Sequence, residues 1–320
     1  MTTGFLVVDK PAGITSHDVV AVLRAAIRIK KVGHTGTLDP FATGVLPLAI
    51  GPSTKLIQFL DESVKVYEGT VRLGQATDTG DPMGEVTEEA SVAKLDFKHV
   101  QNILNGFCGE RMQTPPAYSA IKVRGKPLYK YARAGESVEV PARKIRIDSV
   151  ELLALRDAEL DVRVTCGRGT YVRVLAEEIG VALGTCAHLS SLRRTRSGPF
   201  SLEHALTFEQ LSLFAAGRDD WPAVLRPERG APRLKWNEPA EIQKDIQSFM
   251  RGPESVLSHL PVLPLSAVDL ESLLKRGQVF SVPESMPDGA HWVATSENSI
   301  VAVLRRDGPV GRVARMIVRG

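Results

Sequence analysis

Two periodicities of apolar and polar residues run along the chain, and each predicts its own kind of element. Residues 4–9 form a short apolar run that predicts a strand, and Lys10-Pro11-Ala12-Gly13 turns the chain out of it. Thr15-Ser16-His17-Asp18 then reads as a capping-box-like helix start. The helix that follows places Val19, Val22, Leu23, Ala26 and Ile27 on one face at 3.6-residue spacing. Lys30 and Lys31 are expected to close it, where cations suit the negative end of the helix dipole.

Strict alternation appears twice. In residues 66–73, Tyr67, Gly69, Val71 and Leu73 fall on one side and Glu68, Thr70 and Arg72 on the other, which predicts a half-buried strand. Leu160, Val162, Val164 and Cys166 alternate with Asp161, Arg163 and Thr165 in the same way, so Cys166 is expected in the core. Gly167-Arg168-Gly169-Thr170 turns the chain into a helix carrying Val172, Leu175, Ala176 and Ile179. Alternating strands interspersed with amphipathic helices predict an α+β fold, a sheet with helices on one face.

Beyond this the pattern changes. Residues 217–254 carry Pro222, Pro227, Pro232, Pro239 and Pro253 and read as an extended connection or insertion. The short apolar runs Val279–Val282, Trp292–Ala294, Ile300–Leu304 and Met316–Val318, broken by Gly and Pro, suit a small β-barrel-like domain. The expected division is a body over 1–215, a Pro-rich linker or insertion over 216–257, and a small domain over 258–320. A length of 320 residues agrees, at about 100–200 residues per domain.

A chain with 43% hydrophobic and 24% charged residues is neither disordered nor collagenous. Cys108, Cys166 and Cys186 are an odd number without a C-x-x-C pair, which argues against a disulfide framework and a zinc site. The apolar run Phe5–Val8 is too short for a signal peptide, and no run approaches the roughly 20 residues of a membrane span. A soluble, cytoplasmic protein with no membrane partner is expected. The net charge of +3 hides segregation along the sequence: residues 61–100 hold 4 basic and 9 acidic side chains, residues 110–200 hold 16 and 10. The last twenty residues set five arginines against Asp307. Clustered basic stretches raise the local potential even where the total nearly cancels.

The segment Gly33-His34-Thr35-Gly36-Thr37-Leu38-Asp39-Pro40-Phe41-Ala42-Thr43-Gly44 reads as a constrained loop. It lacks the Gly-Lys-Ser/Thr of a phosphate loop, and Gly167-Arg168-Gly169 has Val172 where a dinucleotide loop needs its third glycine. What remains is an aspartate, Asp39, held in a tight loop. It is either a turn residue bonding its own backbone or a catalytic carboxylate, and in a covered pocket the latter needs a cationic partner such as Arg173. All five tyrosines, Tyr67, Tyr118, Tyr129, Tyr131 and Tyr171, lie among the basic residues. That is the arrangement of a protein that stacks on bases and holds phosphates, although core packing explains any single tyrosine better. The seven histidines include no i,i+4 pair and no H-E-x-x-H, so no metal is called for.

Several blocks together resemble one family, the TruB family of tRNA pseudouridine synthases. They are Lys10 to Ser16, Gly33 to Leu46, Tyr67 through Asp81, Pro115 to Arg133, and Gly167 to Arg173 with His188 to Arg194. The resemblance implies the pseudouridine synthase fold, a mixed and mainly antiparallel sheet with flanking helices, plus a PUA-type RNA-binding domain at the C-terminus. It implies isomerisation of uridine 55 in the T-loop of tRNA to pseudouridine, with no cofactor and no metal. A base inside a folded loop must be flipped out for such chemistry. Because the leaving uracil has to be kept and re-added, one carboxylate in a dry pocket suits the reaction better than a glycosidase pair.

By position, the resemblance makes Asp39 the catalytic aspartate, with Tyr67 stacking on the flipped base and Arg173 pairing with Asp39. It places His34 against the nucleotide opened by flipping, Tyr171 and Leu192 along the pocket, and Lys10 and Lys55 near the site or phosphates. Phe41 stands where the family more often has leucine. The partner implied is the tRNA T-arm; nothing in the chain marks a surface for an obligate protein partner, and a T-loop is small enough for a monomer to grasp, so a monomer is expected. A related synthase acting on another RNA and an RNA-folding helper are the alternatives. The intact set of Asp39, Tyr67 and Arg173 argues against the helper.

Overall fold

The apolar strand at the start of the chain lies inside a sheet, and both of its faces are covered. The computed structural model describes residues 3–317 apart from 62, 120, 137, 218–235, 280–281, 284 and 298. The first elements are β1 (Gly4–Lys10), α1 (Ser16–Ile27), β2 (Val32–His34), β3 (Thr43–Ile50), a 3-10 turn (Gly51–Phe59), β4 (Lys65–Leu73), β5 (Gln75–Thr77) and β6 (Val86–Glu89). Next come α2 (Phe97–Asn105), β7 (Gly109–Gln113), β8 (Lys122–Val123), β9 (Lys126–Pro127), α3 (Leu128–Arg133), β10 (Arg143–Arg156) and β11 (Glu159–Cys166). They are followed by α4 (Val172–Ala182), β12 (Ala187–Ser197), β13 (Phe200–Ser201), β14 (Leu206–Thr207), α5 (Phe208–Ala216) and β15 (Met250–Arg251).

The main sheet runs β14-β1-β3-β12-β4-β11-β10-β7, with β2, β13 and β15 paired on its flanks. It is mixed: β1 with β14 and β3 with β12 are parallel, and the other pairs are antiparallel. Leu6, Val8, Leu46 and Leu48 point into the larger core with α1, α2, α4 and α5. Phe5, Val7, Val45 and Ala49 point the other way, onto the 3-10 turn, Phe200 and the C-terminal strands. Burial on both faces is why β1 and β3 read as unbroken apolar runs. Strands β4 and β11 cover only one face, so they alternate as expected. Cys166 is buried, and burial pushes its thiol up to about 11, out of reach of ionisation near neutrality.

The capping box forms as predicted: Thr15 N donates to Asp18 Oδ2 at 2.8 Å and Asp18 N to Thr15 Oγ1 at 3.1 Å. The helix does not reach Lys30 and Lys31. It stops at Ile27 because Arg28 turns left-handed (φ 53°), so that the chain reverses in time for Val32 to pair with Ile50. Arg24 is the cation of the last turn, and its Nε donates to the Val32 carbonyl at 3.2 Å.

Within the connection expected over 216–257, residues 218–235, with Pro222, Pro227 and Pro232, lie outside the described residues. Its later part joins the body. A short helix, Pro239–Asp245, leads Ile242 and Ile246 into the main core, and β15 pairs with β1 at Phe5 and Leu6. Strands β16 (Val262–Pro264), β17 (Gln278–Val279), β18 (His291–Ser296), β19 (Ser299–Asp307) and β20 (Val310–Met316) form a second sheet, in the order β16-β18-β19-β20-β17. The sheet curls into half of a barrel. Among the described residues no helix is long and apolar enough to cross a membrane.

One close approach ties β3 to β12. Gly44 has φ 101°, and a Cβ there would stand 2.2 Å from the Arg194 carbonyl oxygen. Gly44→Ala therefore combines a disfavoured conformation with a backbone clash, and should cost about 3 kcal/mol of stability or more. Urea denaturation measures it; a change below about 1 kcal/mol would contradict the close approach.

Candidate active site

The segment 33–44 is a loop only in its middle. Gly33 and His34 belong to β2, which pairs with β3, and Thr43 and Gly44 already belong to β3. Between them, Thr35 to Ala42 form a loop clamped from two sides. On one side stands the Lys10–Ser16 segment. Gly13 N donates to the Pro40 carbonyl at 2.8 Å, and Ser16 Oγ accepts from Leu38 N at 2.8 Å while donating to Leu38 O at 3.1 Å. On the other side stands Arg194, with no exposed surface. It donates to Val45 O (2.8 Å), Gly36 O (3.1 Å) and Thr37 O (3.3 Å).

The clamped loop presents Asp39 to one end of α4. Arg173 Nε lies 2.9 Å from Asp39 Oδ2, and Arg173 Nη1 lies 3.4 Å from Asp81 Oδ2. The same guanidinium donates to Thr79 O at 2.7 Å and Tyr118 O at 2.8 Å. Arg173 is 3% exposed, and a charge otherwise too costly to bury is offset by two carboxylates and two carbonyls. Desolvation raises the Asp39 pKa above the usual 3.8; Arg173 opposes the rise, and the like charge of Asp81 adds to it.

Asp39 opens on a cavity of about 590 Å³ whose lining includes Tyr67, Leu192, Ile145, Ser119, Tyr171 and Arg173. Tyr67 and Leu192 are each 8% exposed. Burial raises the Tyr67 pKa, with a hydrogen bond and positive charge from Arg194 opposing, so its phenol is neutral. Tyr171 precedes the first turn of α4. Its position is fixed by the buried Gln113, whose Oε1 accepts from Tyr171 N (2.8 Å) and whose Nε2 donates to Tyr171 O (3.1 Å). Arg143, Lys144 and Arg168 rim the cavity.

Of the residues expected at the site, Asp39, Tyr67, Arg173, Tyr171 and Leu192 surround one cavity. Three others do not line it. His34 does not line it; burial, Arg194 and His17 lower its pKa, and its Nδ1 is buried without a partner. Lys55 is exposed on the 3-10 turn and does not line the cavity. Lys10, expected near the site or phosphates, has no exposed surface, and its Nζ donates to Pro11 O, Ile14 O and Pro40 O at 2.8, 2.8 and 3.2 Å. An ammonium so engaged has no proton left for a phosphate, so Lys10 is a strut under the Asp39 loop. Burial pushes it down to about 8, against the attraction of Asp39.

The tyrosine cluster also separates. Tyr129 and Tyr131 on α3 stack with Arg133 (5.6 Å) and Lys126 (4.2 Å), away from the cavity lining. Arg194, Asp81 and Gln113 are the residues that the sequence pattern did not single out. Arg194 is two positions after Leu192 and shares its inward phase on β12, a signal that an arginine in a core position was waiting for partners. Among the described residues, no group of three or more His, Cys, Asp or Glu side chains is placed to hold a metal ion.

Comparison with known proteins places these features. Residues 24–172 match the family model described as TruB family pseudouridylate synthase (N-terminal domain), and residues 173–227 match the tRNA pseudouridylate synthase B C-terminal domain. The chain is 41% identical over 312 residues to a curated Geobacter sulfurreducens protein named tRNA pseudouridine synthase B, covering 97% of this chain and 92% of that one. It is 49% identical to the Burkholderia pseudomallei protein of the same name, covering 99% and 97%. A chain in the crystal structure of a Cbf5-Nop10-Gar1 complex superposes with a TM-score of 0.69 at 25% identity, covering 98% of this chain and 85% of that one.

The strut is directly testable. Lys10→Met keeps the apolar stem but strips three carbonyls of their donor, and should cost about 3 kcal/mol in chemical denaturation. A loss below about 1 kcal/mol would remove Lys10 from the clamp.

Proposed function

Because the chain belongs to the TruB family of pseudouridylate synthases, we propose that it isomerises uridine 55 in the T-loop of tRNA to pseudouridine. The observation that carries the proposal is the Asp39 carboxylate, ion-paired at 2.9 Å to a buried guanidinium beside a cavity large enough for one extruded nucleotide. The reaction balances within the nucleotide. The N1–C1′ bond breaks, a C5–C1′ bond forms, and the hydrogen at C5 is replaced by one at N1. No external oxidant, reductant or group donor enters that balance.

Asp39 is the reacting carboxylate in this proposal. Held beside the glycosidic carbon, it is placed to act on C1′, on the base or on a sugar proton. Arg173 keeps it ionised and oriented. Tyr67 offers a ring for the uracil to stack on, and its neutral hydroxyl can assist removal of the C5 proton only as a relay, passing its own proton on in the same step. Tyr171 and Leu192 enclose the base. His34 and Lys55, outside the cavity, are assigned to the surrounding RNA: His34 to the nucleotide opened by flipping, Lys55 to a phosphate. The division into a catalytic body over 1–215, a connection over 216–257 and a PUA-like RNA-binding domain over 258–320 is part of the same reading, as are a monomeric state, action without a protein partner and a cytoplasmic location.

Asp39→Asn should abolish pseudouridine formation on unmodified tRNA while leaving tRNA affinity within a few-fold, since a single buried contact contributes little beside the phosphate interactions. Mapping the modified position in the parent reaction separates T-loop specificity from action on another RNA. A near-parent rate in the variant would remove Asp39 from the chemistry.

A pH profile tests the same residue independently. Activity requires ionised Asp39, and its pKa is raised, so kcat/KM should fall on the acid side at a pH above the 3.8 of an ordinary aspartate. An acid limb at or below that value would contradict the desolvated setting.

A further inference from the structure

Ser119 is buried, at 6% exposure, and lines the cavity. Its hydroxyl meets the Tyr171 phenol, and that contact lowers the phenol's pKa against the effect of burial. A hydroxyl donates once and accepts twice, so one partner leaves Ser119 with capacity for a ligand in the cavity. Its placement is not casual. Ser119 O accepts from Tyr129 N at 3.1 Å, and the preceding carbonyl, Tyr118 O, accepts from Arg173 Nη2 at 2.8 Å. The Arg173 guanidinium that holds this backbone is the one whose Nε meets Asp39. Ser119 is thus fixed one guanidinium away from the reacting carboxylate.

We infer that Ser119 reads the ribose 2′-hydroxyl of the extruded nucleotide and so distinguishes RNA from DNA at that position. The inference rests on the proposed seating of a uridine in this cavity. The flat faces of uracil find their match in Tyr67 and Leu192. The glycosidic carbon must come to Asp39 whichever atom the carboxylate acts upon, so the sugar faces the Arg173 side, where Ser119 stands. A serine hydroxyl both donates and accepts, and so does a 2′-hydroxyl, whereas a deoxyribose offers neither.

The test is a four-way comparison of affinities in the Asp39→Asn background, where bound RNA stays unreacted. T-arm hairpins carrying uridine or 2′-deoxyuridine at the target position are titrated against protein with Ser119 and with Ser119→Ala. With Ser119, the uridine hairpin should bind about tenfold more tightly than the 2′-deoxyuridine hairpin; with Ser119→Ala the ratio should fall below about twofold. A serine that only supports the backbone would weaken both hairpins equally and leave the ratio intact, which would overturn the inference. So would a ratio near one with Ser119 present. Ser119→Cys, nearly isosteric with a weak donor, should also collapse the ratio, and it serves if the alanine variant folds poorly. If the protein with Ser119 binds neither hairpin, the seating of a uridine fails, a result distinct from loss of the ratio alone.

Discussion

A guanidinium buried to 3% exposure organises the site. Arg173 sits in the first turn of α4, and the groups that satisfy it come from three separate segments: Asp39 from the clamped loop, Thr79 and Asp81 from the turn after β5, and Tyr118 from the stretch before β8. Burying a cation this deeply is costly unless each edge finds an acceptor. The cost of leaving the arginine unmatched is therefore what draws these segments together around one cavity. Asp81 matters here beyond its charge. Its other oxygen accepts from Thr79 Oγ1 at 2.7 Å and Met83 N at 3.0 Å, so the second carboxylate is anchored by its own turn and Asp39 is left facing the cavity.

The same logic applies below the loop. A reacting carboxylate is effective only when its position is set before substrate arrives. Lys10, Ser16 and Gly13 fix Leu38 and Pro40, the residues on either side of Asp39, while Arg194 fixes Gly36 and Thr37. Arg194 reaches them from β12 because Gly44 lets the backbones of β3 and β12 approach. The Lys10–Ser16 segment and the Gly33–Gly44 segment, far apart in appearance as sequence, are two halves of one rigid mount.

These relations explain what the sequence reveals and what it conceals. Helix α1 and strands β4 and β11 are legible because each buries one face, and a half-buried element writes its period into the chain. The body's α+β class follows from them. Asp39 and Arg173 stand out as residues, yet only the folded chain brings them within 2.9 Å. The strut role of Lys10 is hidden, because nothing local announces three carbonyls closing over it. Arg194 is hidden by its neighbours Arg193 and Arg196, which give the strand the look of a basic surface run. The extent of α1 is misjudged because its end is set by the distant pairing of Val32 with Ile50 and not by the lysines that follow.

Charge shows most sharply how far linear pattern and spatial pattern diverge. The acidic stretch 61–100 and the basic stretch 110–200 appear segregated along the chain, but strand pairing lays one against the other. On the face of β4 and β11 away from the helices, Arg163 meets Glu68 at 2.8 Å and Arg72 meets Glu159 at 3.0 Å. At the sheet edge Lys144 meets Glu110 at 2.7 Å. Exposed pairs of this kind add little stability, and of these three only Arg163 with Glu68 sets a cation of the basic stretch against an anion of the acidic one. Asp81, counted in the acidic stretch, is spent inside the protein on Arg173. Among the described residues, Arg143 and Arg168 on the cavity rim meet no such carboxylate partner. These two cations stand where a polyanion would have to approach Asp39.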